Sequence, residues 1–150
     1  MEQAVRGRSD PSALRLWGKT QLLLAEYDGA ITTLTAADQE TQAGYLSDLA
    51  AAYIARGSER DNNQDIRHGL ELADRALASG ARDGAVLFNR ALALERLGRR
   101  SEAVRAWRDY IAAEKDPDWR REGEDHLSRL NSTSIGDRVA PSGRFAGHAT

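Results

Sequence analysis

The side chains of this 150-residue chain that could hold a metal or move a proton are 23 acids and three histidines, His68, His126 and His148. Histidine ligands on one helix recur at close spacing such as i, i+4, and these three are far apart, so no metal site is expected. The chain has no cysteine, which removes thiolate nucleophiles, disulfides and Cys-ligated zinc or iron–sulfur centres. No Gly-rich phosphate loop occurs, and Gly80, Gly84 and Gly98 read as helix-end glycines. Neither a catalytic residue nor a cofactor is expected. Nineteen of the 21 bases are Arg, a skew suited to bidentate anion recognition that a biased source genome produces equally well. A formal charge of −2 lacks the positive excess of a nucleic-acid binder, and none is expected as a partner.

These groups must be carried on helices. Ala (25) and Leu (17) dominate the apolar residues against nine Val plus Ile, the usage of an all-α chain of one domain. The N-terminus has no apolar h-region, and no apolar run approaches the length of a spanning helix, so no membrane association and a cytoplasmic location are expected.

Three segments align as internal repeats. The first, Ala13 to Asp38, places apolar or small residues at Leu14, Trp17, Gly18, Ala30, Leu34 and Ala37. The third, Ala85 to Ala113, repeats the spacing at Leu87, Ala91, Leu94, Ala103, Trp107 and Ile111, and the middle copy has Leu46, Leu49, Ala50, Tyr53, Gly69, Ala73 and Ala76. Each copy describes two amphipathic helices joined by a tight turn, at Ala25-Glu26 in the first and Gly98-Arg99 in the third. The middle copy carries seven extra residues, and Ser58 to Gln64 is polar and rich in turn formers, which predicts a lengthened inter-helix loop.

A helix–turn–helix unit of about 34 residues, with small residues at the crossings, resembles the tetratricopeptide repeat (TPR). Trp17-Gly18 stands where that family has Leu-Gly, Tyr27-Asp28-Gly29-Ala30 resembles its Tyr-Asp-Glu-Ala turn, and Asp116-Pro117 its closing Asp-Pro. The resemblance implies a right-handed α-α superhelix, a TPR solenoid of about three repeats with a C-terminal capping helix. On this reading residues 1–10 are the remnant of a preceding repeat or a tail. Repeats occupy 11–42, 43–83 (with its long loop at 57–65) and 84–117, followed by a capping helix at 118–131 and a disordered tail at 132–150. Trp17, Tyr53 and Trp107 fall on the packed stripe, and Trp119 either seals the last repeat or stands exposed as an anchor.

The resemblance further implies a non-catalytic protein–protein interaction module, a scaffold whose concave groove holds a peptide or helix of a partner. Groove positions carried over include Arg15 and Lys19 from the first copy, Ser47 and Ala51 from the second, and Phe88, Leu92, Glu95 and Arg96 from the third. They describe a basic end, small residues in the middle and an apolar patch, suited to a partner with an acid about one repeat from an apolar anchor. One subset of the family clamps a C-terminal carboxylate with Lys, Asn and Arg. Here Lys19 and Asp48 stand where that subset has Asn, and Phe88 and Leu92 where it has bases, so that ligand is not expected.

Charge is segregated along the chain. Thr20 to Ala55 holds five acids and no base, and Arg96 to Arg108 five Arg against Glu102 alone, a pattern compatible with self-association or with solvated faces that simply differ. The strings LSDLAAAYIARG and LFNRALALERLG are also similar to TPR arrays of bacterial proteins with caspase-like CHAT peptidase domains. That resemblance implies, as the alternative, a regulatory or sensing segment whose His-Cys peptidase is encoded elsewhere.

Overall fold

The computed structural model describes residues 10–37 and 42–138, the last five by backbone alone. Among them are seven helices and no strand: α1 (Pro11–Leu23), α2 (Tyr27–Ala37), α3 (Ala43–Glu59), α4 (Asn63–Ala78), α5 (Gly84–Arg96), α6 (Arg100–Ala113) and α7 (Pro117–Arg138). Residues 1–9, 38–41 and 139–150, with His148 and the acids Asp38 and Glu40, lie outside the described residues.

Local chemistry starts and stops these helices. Asp10 accepts the Ser12 amide at 3.3 Å ahead of Pro11, and Asp83 accepts the Val86 amide at 3.0 Å. Asp116 Oδ1 accepts the amides of Asp118 (2.9 Å) and Trp119 (3.4 Å), the cap expected of Asp-Pro. Ala25 (φ 59°) and Gly98 (φ 70°) turn the chain between the helices of the first and third hairpins.

Each helix packs on the next, and α1 touches α3 as α3 touches α5, so the apolar stripes are buried between neighbours. The small residues sit at the crossings as the repeat pattern predicts. Gly18 is buried, and a Cβ there would lie 2.6 Å from Leu34 Cγ; Ala50 and Ala91 are fully buried at the equivalent positions. Leu34, Ile54, Leu94 and Trp107 fill the layers between them.

The structure corrects four expectations. The polar insertion at 57–65 does not form a long loop, because α3 runs to Glu59, α4 starts at Asn63, and three residues connect them. Asp61 takes the left-handed conformation (φ 51°) and Asn62 caps α4, so one tight turn suffices and the extra residues lengthen both helices. Gly57 makes this possible, since a Cβ there would lie 2.6 Å from Ile66 Cγ1.

The last helix also continues past 131 to Arg138, into the stretch read as tail. Ser132 and Thr133, which read as loop formers, turn their hydroxyls onto the carbonyls of Ser128 and Arg129 at 2.9 and 3.0 Å. Trp17, expected in the core, is 54% exposed, because α1 has no described helix on its outer side, where Leu16 and Leu24 are exposed too. Gly84 opens α5 instead of ending a helix, and its role is spatial, as shown below.

Candidate interaction groove

The first helix of each hairpin, α1, α3 and α5, contributes to a trough whose C-terminal end is closed by α6 and α7. The trough has two lobes. The first, about 670 Å³, lies among Leu23 of α1, Asp48 of α3, Phe88 of α5, Tyr110 and Glu114 at the end of α6, and Trp119 of α7. The second, about 510 Å³, lies among Leu22, Tyr27, Ile54, Ser58, Leu92 and Arg96. Ala51 and Asn89 line both and form the low ridge between them. Asn89 is held there by its Nδ2, which donates to the Ser47 carbonyl (3.2 Å) and Ser47 Oγ (3.3 Å).

Of the residues expected in the groove, Ser47, Ala51 and Phe88 line the first lobe, and Ala51, Leu92 and Arg96 the second. The basic end is partly paired within the fold. Arg15 Nε donates to Asp48 Oδ2 at 2.7 Å, and Lys19 Nζ stands 3.9 Å from Asp48 Oδ1, so one carboxylate offsets one of the two positive charges at this corner. Arg15 lies so close over Gly44 that a Cβ there would come 2.5 Å from Nη2.

Glu95 is likewise drawn away from the trough. Its Oε2 accepts Trp107 Nε1–H at 2.7 Å and lies 2.8 Å from His126 Nδ1. His126 reaches in from α7 and stacks on Trp107, ring centroids 4.3 Å apart at 13°. Phe88 meets the Trp107 and Tyr110 rings edge to face at 5.2 and 5.4 Å. The apolar wall of the first lobe is therefore the visible edge of a buried aromatic cluster, and Glu95 hydrogen-bonds the cluster from behind.

Sequence spacing did not select Tyr110, Glu114 or Trp119 for the groove. Tyr110 is almost fully buried, and its hydroxyl donates to the Trp119 carbonyl at 3.1 Å. Burial, then the charges of Glu114, Glu122 and Asp116, push its phenol up to about 12. Trp119 keeps 56% of its surface exposed and lines the trough. The signal available in the sequence was the Asp-Pro cap, which sets Trp119 in the first turn of α7, facing the end of α6.

Outside the lining of the two lobes, charges join consecutive hairpins. Arg56 of α3 donates through Nε and Nη2 to both carboxylate oxygens of Asp65 in α4, at 2.7 and 2.8 Å, and through Nη1 to Asp28 of α2 at 2.9 Å. Arg60 Nη2 adds a 2.7 Å bond to Asp28. The Arg56 hydrogen bonds hold the buried Asp65 carboxyl below its ordinary range, and those of Arg60 and then Arg56 do the same for the exposed Asp28. Arg56 also lies over the Tyr53 ring, 5.3 Å from its centroid, and Tyr53 meets His68 edge to face, which leaves Tyr53 half-buried on a hairpin surface. Two acids of the Thr20 to Ala55 stretch, Asp28 and Asp48, are thus balanced by bases from neighbouring elements.

Among the described residues no group of three or more His, Asp or Glu is placed to hold a metal ion, and no helix is long and apolar enough to cross a membrane. No family model matches the chain, and no curated protein matches it. Solved structures do. The TPR domain of Sgt2 from Aspergillus fumigatus superposes with a TM-score of 0.74 at 22% identity, over 96% of this chain and 95% of that one. TTC0263, a thermophilic TPR protein of Thermus thermophilus, superposes with a TM-score of 0.70 at 22% identity, over 85% of this chain and 67% of that one. At this identity the likeness speaks to architecture alone: the chain is an all-α helical-repeat solenoid with the TPR fold.

Proposed function

We propose that this chain is a non-catalytic scaffold module that grips a peptide or helical segment of a protein partner in the trough of α1, α3 and α5. The observation that supports it is the trough itself. Its two lobes meet over Ala51, the smallest side chain able to keep them continuous without helix-weakening glycine, and the first lobe is walled by Leu23, Phe88 and Trp119. Apolar floor with a few fixed polar groups is the chemistry that holds an amphipathic segment in a groove.

Ala51→Arg places a long charged chain on the ridge without touching a buried crossing. Affinity capture from a lysate should lose its specific partners with Ala51→Arg and keep them with Arg108→Ala on the exposed face of α6, both variants giving the wild-type circular dichroism. Equal capture by both would remove the trough as the binding site.

Self-association is a second reading, favoured by the exposed Leu16, Trp17 and Leu24 on the outer side of α1. That stripe carries no charge, whereas α7 at the other end is studded with Asp118, Arg121, Glu122 and Asp125, so two α1 faces would pair without burying an ion. Sedimentation velocity at tens of micromolar would show a dimer that Trp17→Ser abolishes; a monomer at every concentration ends this reading.

A further inference from the structure

The first lobe has a directional chemistry. Asp48 is already balanced by Arg15 and Lys19, so the carboxylate that remains in this lobe is Glu114. Among the described residues no base lies within ion-pair distance of it. Arg120 donates through Nε and Nη2 to the Glu114 backbone carbonyl, at 3.1 and 2.7 Å, and not to the carboxylate.

Glu114 is also held in place. Oε1 accepts the Asp116 amide at 2.9 Å, and Oε2 lies against the α-carbon of Gly84, where any Cβ would collide with it. Gly84 is the first residue of α5, so the carboxylate sits at the positive end of that helix. A fixed carboxylate beside the exposed Trp119 ring, with apolar Phe88 adjoining, is the combination that binds an ammonium or guanidinium group carried next to apolar side chains.

We propose that the first lobe is a subsite for a lysine or arginine of the partner segment, held between Glu114 and Trp119 while the flanking apolar residues rest on Phe88 and Ala51. This rests on the groove reading above and reverses the polarity that the sequence suggested, because Arg15 is paired with Asp48, and neither Arg15 nor Lys19 lines this lobe, whereas Glu114 does. The partner is then a basic amphipathic segment.

The test is a phage-displayed library of random 12-residue peptides selected on the immobilised full chain, with the enriched peptides synthesised and titrated by fluorescence polarisation. Enriched sequences should carry Lys or Arg within a few residues of Leu, Ile or Phe. Their affinity should fall about tenfold or more with Glu114→Gln, which keeps the Asp116 hydrogen bond and removes the charge, and should fall with Trp119→Ala. Gly84→Ala, which displaces the carboxylate, should weaken them as well. Peptides sensitive to Ala51→Arg but indifferent to Glu114→Gln would overturn the cation subsite and leave the groove standing. Enrichment of acidic peptides would do the same. Peptides indifferent to both variants, or no enrichment at all, would overturn both.

Discussion

The first and last hairpins follow one pattern of small crossings and apolar stripes, yet they are secured by different forces. Around α2, α3 and α4 the fixing contacts are ionic: Asp28, Arg56, Arg60 and Asp65 tie three helices with short hydrogen bonds, and Arg15 ties α1 to Asp48. Around α5, α6 and α7 they are aromatic: Phe88, Trp107, Tyr110 and His126 pack ring on ring, with Glu95 as the polar partner of two of them. A repeat that has a helix on both sides can bury large rings. One that ends the described array leaves its own tryptophan, Trp17, in solvent. A tryptophan therefore has an energetic weight set by what lies beside it in the stack.

The contrast is broken most directly at Trp107, which is fully buried and hydrogen-bonded. Trp107→Ala should cost about 3–5 kcal/mol in urea unfolding and release α7, read as lost hydrogen-exchange protection around His126. A cost as small as that of a surface change would mean that the aromatic cluster does not secure the C-terminal half. Ala91→Leu tests the crossing that both halves share. Overpacking a fully buried alanine should lower stability by ~1–3 kcal/mol, and an unchanged thermal midpoint would remove the repeat register.

Asp65→Asn sharpens the ionic side, with an expected loss near pH 7 of about 1.5 kcal/mol, the scale of hydrogen bonds to a charged partner. Because the folded carboxyl is held below its ordinary value of 3.8, this stabilisation is fully present above that value and is lost as the solution is acidified through the lower, folded-state value. Acid should therefore loosen α2 to α4 before the aromatic half, and the Asn variant should lack that part of the acid limb. Simultaneous loss of protection in both halves would contradict the division. The smallest effect belongs to Trp17→Ser, which should change monomer stability by no more than about 0.5 kcal/mol despite removing the largest kind of side chain.

What was legible in the chain was whatever repeats with the helical period. Gly18, Ala50 and Ala91 recur in equivalent places and proved to be the crossings, and Asp116-Pro117 announced the start of α7. Contacts between side chains of unrelated register left no such trace. Arg15 and Asp48 are 33 residues apart and Asn89 and Ser47 are 42 apart, so nothing local pairs them, and the supposed basic end was read as free charge. Glu114 was invisible for a related reason: its importance comes from Gly84, thirty residues earlier, offering no Cβ. The insertion was misread because Asn, Asp and Ser favour turns and helix caps alike, and composition does not say how few of them a turn requires.

That insertion has a geometric consequence for the trough. By extending α3 to Glu59 it carries Ser58 and Glu59 into the rim of the second lobe, while Ser47, on the same helix, lines the first. From Ser47 to Glu59 the helix rises about 18 Å at 1.5 Å per residue, and this rigid edge spans both lobes. On the proposed groove reading, this edge sets the length of a bound segment at roughly a dozen residues if helical or about half that number if extended.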